Sequence, residues 1–196
     1  MIGILFTIIM MFKIIRTEEL KCNNKDTFII SFLAVAVLII NLICSVVCKN
    51  ASYYIYSLCF SWLLLLAYID KMCGYVYEAM EYCGGIITVL SILEIILRYK
   101  EDALVKLTIL LLFVLIFYVL AKLNIFGAGD ADVLAVVFTV FSEMYVNILL
   151  YYISLLLFII RYFKEIIMNR GRLKGGKPFV PSIYMAYVLF ILFYCI

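Results

Sequence analysis

The feature that most constrains the fold of this chain is its series of long, almost continuous apolar runs. Phe28–Cys48 and Leu104–Ala121 have the length, roughly 20 residues, that a helix needs to cross the hydrocarbon core of a bilayer. The runs do not alternate, and only helical bundles and closed barrels satisfy their backbone hydrogen bonds in lipid. With 68% of its 196 residues apolar, the chain has more apolar surface than a soluble core of this length can hide. The sequence therefore predicts an all-α fold, a polytopic transmembrane helical bundle.

The apolar runs divide the chain into about eight candidate spans. They are residues 2–15, 27–48, 52–69, 83–98, 103–121, 131–142, 145–163 and 181–196. The first, the sixth and the last are short for a hydrocarbon core of about 30 Å, so the predicted number of spans is six to eight. No repeat or linker separates domains, and we expect one integral membrane domain.

Lysine and arginine are concentrated on one side of the predicted spans. Segments 13–26, 70–82, 122–130 and 164–180 fall on one side if all eight runs cross, and with Arg161 at their border they carry 12 of the 16 basic residues. The positive-inside rule makes this side cytoplasmic and predicts a multi-pass protein of the plasma or inner membrane. Basic residues in short loops between spans suit contact with anionic membrane lipid, and they give no reason to expect nucleic acid as a partner.

The residue types that are present limit the possible chemistry. The chain contains no histidine, which excludes Ser-His-Asp and Cys-His catalysis and histidine-based zinc sites. Its seven cysteines show no C-x-x-C spacing, and Cys44 and Cys48, which share a helical face within an apolar run, are expected to pack as small hydrophobic side chains. We therefore expect neither a metal nor an organic cofactor.

Two aspartates stand out at the edges of apolar runs. Asp70 ends one run, and Asp130 follows 60 residues later, directly after Gly127-Ala128-Gly129. Carboxylates at a bilayer edge are costly to keep charged, and the predicted topology brings both to the cytoplasmic side. A helix cap explains Asp130 equally well from its local sequence. Asp70 is harder to explain structurally, because a negative charge at the end of a helix opposes the helix dipole.

A pair of carboxyls on one side of the membrane indicates a specific chemistry. Two carboxyls a few ångströms apart in a low-dielectric site share one proton and hold a water between them. Aspartic peptide hydrolysis uses this arrangement, in which the charged acid takes a proton from water while the neutral acid polarises the scissile carbonyl. The two glycines before Asp130 predict an open turn that another backbone can approach closely.

These motifs resemble those of the type IV prepilin peptidases, a family of G-x-G-D intramembrane aspartic proteases. The resemblance lies in Asp70, in Gly127-Ala128-Gly129-Asp130, and in Pro178-Phe179-Val180-Pro181, which is similar to the Pro-Phe-x-Pro element before the family's final helix. It covers residues 52–196 and leaves residues 1–51 as N-terminal spans outside it. The cysteine-rich cytoplasmic insertion of larger members is absent, so the resemblance is to a short form.

The resemblance implies a six-helix catalytic core that cuts prepilin-like precursors at the cytoplasmic face. Asp70 and Asp130 would be the catalytic pair, Gly127 and Gly129 would shape the turn, and the substrate would be a protein with an apolar N-terminal helix. The sequence departs from the family pattern two residues after the second aspartate, where the usual lysine is replaced by Asp132. A third carboxylate there would raise the local negative charge.

Other interpretations stay open at this stage. A presenilin-like or signal-peptide-peptidase-like G-x-G-D protease is a looser match, because those enzymes are longer. A non-enzymatic transporter or assembly scaffold is the main alternative from another class, although a transporter should show inverted repeats and acids deep within its spans. An inactive homologue is the third alternative. The sequence indicates neither the precursor nor the oligomeric state.

Overall fold

The computed structural model describes residues 52–73, 78–123, 127–141, 143–168 and 177–194, together with isolated helical positions between 32 and 43. Apart from those positions, the spans expected at 2–15 and 27–48 lie outside the described residues. Within this part of the chain the fold is all-helical, with no strand. The helices are α1 (Ser52–Cys73), α2 (Glu78–Tyr99), α3 (Ala103–Lys122), α4 (Ala128–Val140), α5 (Met144–Met168) and α6 (Val180–Tyr194).

Among the described residues, three helical stretches are long and apolar enough to cross a membrane: Ser52–Lys71, Met80–Lys122 and Met144–Met168. They are compatible with a membrane protein. The second stretch contains both α2 and α3, joined by a 3-10 turn at Lys100–Asp102. The other two helices are shorter, since α4 has 13 residues and the apolar part of α6 is Val180–Ile191.

The chain reverses direction between α2 and α3. Lys100 adopts a positive φ of 34°, which interrupts the helical path. Gly84 of α2 and Phe117 of α3 lie at similar distances along the chain from this turn, and both contact α4. A Cβ atom at Gly84 would lie 2.9 Å from Val136, and the Phe117 ring packs edge-on to Phe138 at 4.9 Å. The two helices therefore form a hairpin against α4.

The helices α1 and α4 form the centre of the bundle. The apolar part of α1 is largely buried, and α4 is buried along almost all of its length after Asp130. The two helices run antiparallel, because Tyr56 near the start of α1 stacks on Phe141 just after α4, at 5.4 Å. The last helix, α6, runs antiparallel to α1, with the Tyr187 hydroxyl donating to the Tyr56 carbonyl at 2.9 Å. The end of α1 and the beginnings of α4 and α6 therefore meet at one end of the bundle.

A buried asparagine satisfies the opposite end of α4. The Asn147 side-chain amide on α5 donates to the carbonyls of Phe138 and Phe141, at 3.1 and 2.8 Å. The last carbonyls of a helix lack intrahelical partners, and an unpaired carbonyl away from water is costly. Asn147 is completely buried and supplies the donors that water supplies elsewhere. The short helix α4 can therefore end inside the protein.

Candidate active site

Asp70 lies in the last turn of α1 and is almost completely buried, with 4% of its surface exposed. Its Oδ2 atom accepts a hydrogen bond from the backbone N–H of Val180 at 3.1 Å. Val180 is the first residue of α6, so its N–H is one of the amides that a helix leaves without an internal partner. The helix α1 continues through Asp70 to Cys73. The end of the α1 dipole disfavours a negative charge on Asp70, and the beginning of the α6 dipole favours it and offsets this effect.

Asp130 lies in the first turn of α4 and is half-buried. The backbone N–H of Gly127 donates to its Oδ2 atom at 3.3 Å. This contact is the side-chain half of a capping box, in which an acid at the third helical position returns to the residue that starts the helix. Asp130 therefore does cap α4, as the local sequence allowed.

The carboxyls of Asp70 and Asp130 are close enough for their charges to interact. The pKa of Asp130 is raised to about 7, first by burial and then by the negative charge of Asp70, while the hydrogen bond from the Gly127 N–H opposes the shift. An ordinary aspartate titrates near 3.8. At neutral pH this carboxyl is therefore partly protonated, as one member of a proton-sharing pair must be.

The two glycines before Asp130 occupy different structural positions. Gly127 starts α4 in an extended conformation, with φ −69° and ψ 152°, and its surface is exposed. A Cβ atom there would lie 3.2 Å from Asp130 Oδ2, so a larger residue would crowd the capping contact. Gly129 lies within the first helical turn and is half-buried. Neither residue needs a left-handed backbone. The position of Gly127 instead requires a small residue, because the Asp130 carboxylate lies close to it.

The segment Lys177–Pro181 is fixed against Asp70 by contacts with α5. The Phe179 ring packs edge-on to Phe158 at 5.3 Å, and Lys177 Nζ lies 2.8 Å from Glu165 Oε1. Pro178 and Pro181 restrict the backbone on both sides of Val180. The segment thereby holds the Val180 N–H against Asp70.

Asp132 faces a different neighbour from Asp130. It accepts a hydrogen bond from the Tyr118 hydroxyl of α3. Residues two apart on a helix are rotated by about 200°, so the side chain of Asp132 points away from the Asp70–Asp130 pair. The third carboxylate, which the sequence suggested would add charge at the pair, is directed towards α3.

Sequence reasoning missed two features of the site. The hydrogen bond from Val180 to Asp70 joins residues 110 positions apart, and no local pattern predicts it. Arg161 of α5, which in the sequence is only a basic residue at the border of a loop, lies within electrostatic range of Asp70. In the described ranges no three Cys, Asp or Glu side chains are placed to hold a metal ion.

We expect a carboxylic acid that titrates near neutral pH. Infrared difference spectra of the purified protein should show a protonated-carboxyl band that disappears with a midpoint near pH 7, because burial and Asp70 keep the proton on Asp130. The band should be absent from the Asp130→Asn variant and present in Asp132→Asn. A carboxyl population that titrates only near 3.8 would contradict the assignment.

No family model, no curated protein and no solved structure matches this chain.

Proposed function

We propose that this protein is an intramembrane aspartic endopeptidase that removes the basic leader of prepilin-like precursors. The observation that carries the proposal is the meeting of two carboxyls, from the end of α1 and the beginning of α4, within electrostatic range at one end of the bundle. One carboxyl is buried and the other is half-buried with a pKa of about 7. A chain without histidine has few other ways to activate water for peptide hydrolysis.

Hydrolysis by this pair requires one shared proton and one water. The ionised carboxylate takes a proton from the water while the water oxygen bonds to the scissile carbonyl carbon. The neutral acid gives its proton to the carbonyl oxygen. The newly protonated acid then donates to the amide nitrogen as the C–N bond breaks. The other acid recovers its proton from the tetrahedral intermediate as the new carboxyl forms. The pair thus returns to its starting state without a metal or cofactor.

The proposed substrate follows from the resemblance to prepilin peptidases. It is a membrane-inserted precursor with a basic leader, then Gly, then an apolar helix with Glu at its fifth position. Gly127, Gly129 and the segment Lys177–Pro181 would border the extended peptide. Co-expression of the chain with such a precursor tests the proposal, and removal of the leader is the expected result.

We also propose the finer membrane arrangement. The full chain would cross the membrane six to eight times, with residues 52–196 as the six-helix catalytic core and the Asp70–Asp130 pair near the cytoplasmic face. The short helices α4 and α6 would complete their crossings with tilt or local thinning of the bilayer. What supports this arrangement is the concentration of basic residues on the side of Asp70 and Asp130.

Cysteine labelling tests the orientation. In a background without the seven native cysteines, Gly175→Cys should react with a membrane-impermeant thiol reagent only after the cytoplasmic side is opened, because segment 164–180 carries the most basic loop. Glu101→Cys, in the exposed turn at the opposite end of the bundle, is the matched control and should react in intact cells. Labelling of the Gly175→Cys variant in intact cells would reverse the proposed topology.

A non-enzymatic scaffold is the second candidate function. It is favoured by the hydrogen bonds that Asp70 and Asp130 accept from backbone amides, since these bonds alone give both acids a structural use. Asparagine can accept the same hydrogen bonds through its carbonyl oxygen but cannot exchange a proton. Substitution by asparagine therefore distinguishes the scaffold from the peptidase.

A further inference from the structure

A second group of charged side chains lies at the end of the bundle opposite Asp70. Lys106 Nζ lies 2.8 Å from Glu143 Oε1 and 3.7 Å from the centre of the Tyr99 ring. The Tyr99 hydroxyl donates to the same Glu143 oxygen at 3.3 Å. The group links α2 and α3 to the connection between α4 and α5, and the proposed peptidase chemistry uses none of its members.

A cavity of about 260 Å³ lies beside this ion pair. It has polar and apolar walls, formed mainly by Asp102, Lys106 and Glu143 and by Val105, Ile109 and Leu110. Sites for drug-sized ligands are usually larger, at roughly 300–1,000 Å³. The cavity is therefore sized for a small headgroup rather than for a drug-sized ligand.

The charges of the cavity do not balance. Lys106 pairs with Glu143, whereas Asp102 is exposed and has no ion-pair partner within the described ranges. An uncompensated carboxylate attracts a cation. The Lys106 ammonium has three donors, so it can bind an anion while it keeps Glu143. The cavity is thus complementary to a group that carries both an ammonium and a phosphate.

An apolar strip leads away from the cavity along α3. Val105, Ile109, Leu112 and Ile116 follow one another at spacings of three and four, which places them on one helix face. Val105, Leu112 and Ile116 expose 60%, 55% and 52% of their surface. The helix belongs to a stretch that is long and apolar enough to cross a membrane, so this strip suits contact with acyl chains.

We propose that this cavity binds the headgroup of a zwitterionic phospholipid. Its ammonium would lie against Asp102 and Glu143, its phosphate against Lys106, and its acyl chains along the strip from Val105 to Ile116. The proposal requires a membrane location and is independent of peptidase activity.

Lipid-dependent stability of the full chain in detergent tests the proposal. Phosphatidylethanolamine should raise the thermal unfolding midpoint by about 3 °C more than phosphatidylglycerol with the same acyl chains. The difference should vanish in Asp102→Asn. It should persist in Glu101→Gln, which removes the same charge from the neighbouring residue but does not alter the cavity lining.

Several results would overturn the proposal. They are an equal or larger effect of phosphatidylglycerol on the unmodified chain, a preserved difference in Asp102→Asn, and a lost difference in Glu101→Gln. Soluble glycerophosphoethanolamine distinguishes binding of a lipid from binding of a free headgroup. It should cause almost no shift of the unfolding midpoint. A shift equal to that of the whole lipid would also contradict a lipid ligand.

Discussion

Asp70→Asn and Asp130→Asn are each expected to lower the rate of leader removal from a co-expressed prepilin-like precursor by at least about 100-fold. A positioned acid or base typically contributes 10²–10⁴-fold to a rate, and the two carboxyls share one task. Asparagine keeps the size of the side chain and can still accept the bonds from Val180 and Gly127. What it removes is the proton exchange. The assay is the fraction of processed precursor, measured over time.

Asp132→Asn is the matched control for these substitutions. Asp132 lies two residues from Asp130, but its carboxylate bonds to Tyr118 and faces away from the pair. The same chemical change there should leave most of the processing rate. Full processing by Asp70→Asn or by Asp130→Asn would end the aspartic-pair proposal and leave the scaffold as the better account.

Measuring the stability of the Asp130→Asn variant distinguishes a loss of catalysis from a loss of folding. The pKa of Asp130 is raised from 3.8 to about 7 in the folded protein, so the neutral carboxyl favours folding. This contribution is complete below pH 3.8 and is lost as the pH rises through 7. Above pH 7 the unmodified protein carries an ionised, half-buried carboxylate that Asp130→Asn lacks. The variant should then be at least as stable as the unmodified chain, and a markedly lower melting temperature would indicate a structural role.

Gly84→Ala is expected to cost about 1–3 kcal/mol of stability, because it overfills a close three-helix contact. A Cβ atom at this position would lie 2.8 Å from Trp62 and 2.9 Å from Val136. The Trp62 ring cannot move away freely, since it is buried and its Nε1–H donates to the Met80 carbonyl at 2.9 Å. Val136 is β-branched and buried in α4, so its rotamer is also restricted.

Gly85→Ala is the control for the substitution at Gly84. Gly85 is exposed on the same helix, and a Cβ atom there meets nothing within 4 Å. The substitution should be neutral or should stabilise the protein by up to about 1 kcal/mol, since alanine favours helices more than glycine does. Thermal unfolding followed by circular dichroism compares the two variants. Equal melting temperatures would contradict the close packing of α1, α2 and α4.

The positions of the described helices could be predicted from the sequence, because each of these helices coincides with an apolar run. The run at 103–121 became α3 (Ala103–Lys122), and the other described helices agree with their runs to within a few residues at most ends. The largest differences occur where a helix continues beyond its apolar run into polar residues. The predicted run at 83–98 corresponds to α2 (Glu78–Tyr99), α1 continues past Asp70 to Cys73, and α5 continues past residue 163 to Met168. Hydrophobicity alone cannot detect these turns, because tertiary contacts support their polar residues.

The candidate site was only partly predictable, for a related reason. The charge distribution indicated that Asp70 and Asp130 belong to the same side, and the structure brings them within electrostatic range. The Val180 N–H bond to Asp70 and the Tyr118 bond to Asp132 depend on how α6 and α3 pack, which local sequence does not record. The number of membrane crossings stays a prediction, since in the part of the chain that the structure describes three stretches have the length and composition of a span.

Cleavage of a precursor by the purified protein alone is the decisive test of peptidase activity at Asp70 and Asp130. The full chain is reconstituted in lipid vesicles with a synthetic prepilin-like precursor, and the products are identified by mass spectrometry. We predict one cut between the basic leader and the apolar helix, without added metal or cofactor, and slower cleavage as the pH rises above 7, where Asp130 loses its proton. An intact precursor throughout the pH range would exclude peptidase activity, and equal cleavage by vesicles that contain Asp70→Asn would exclude the aspartic pair as its source.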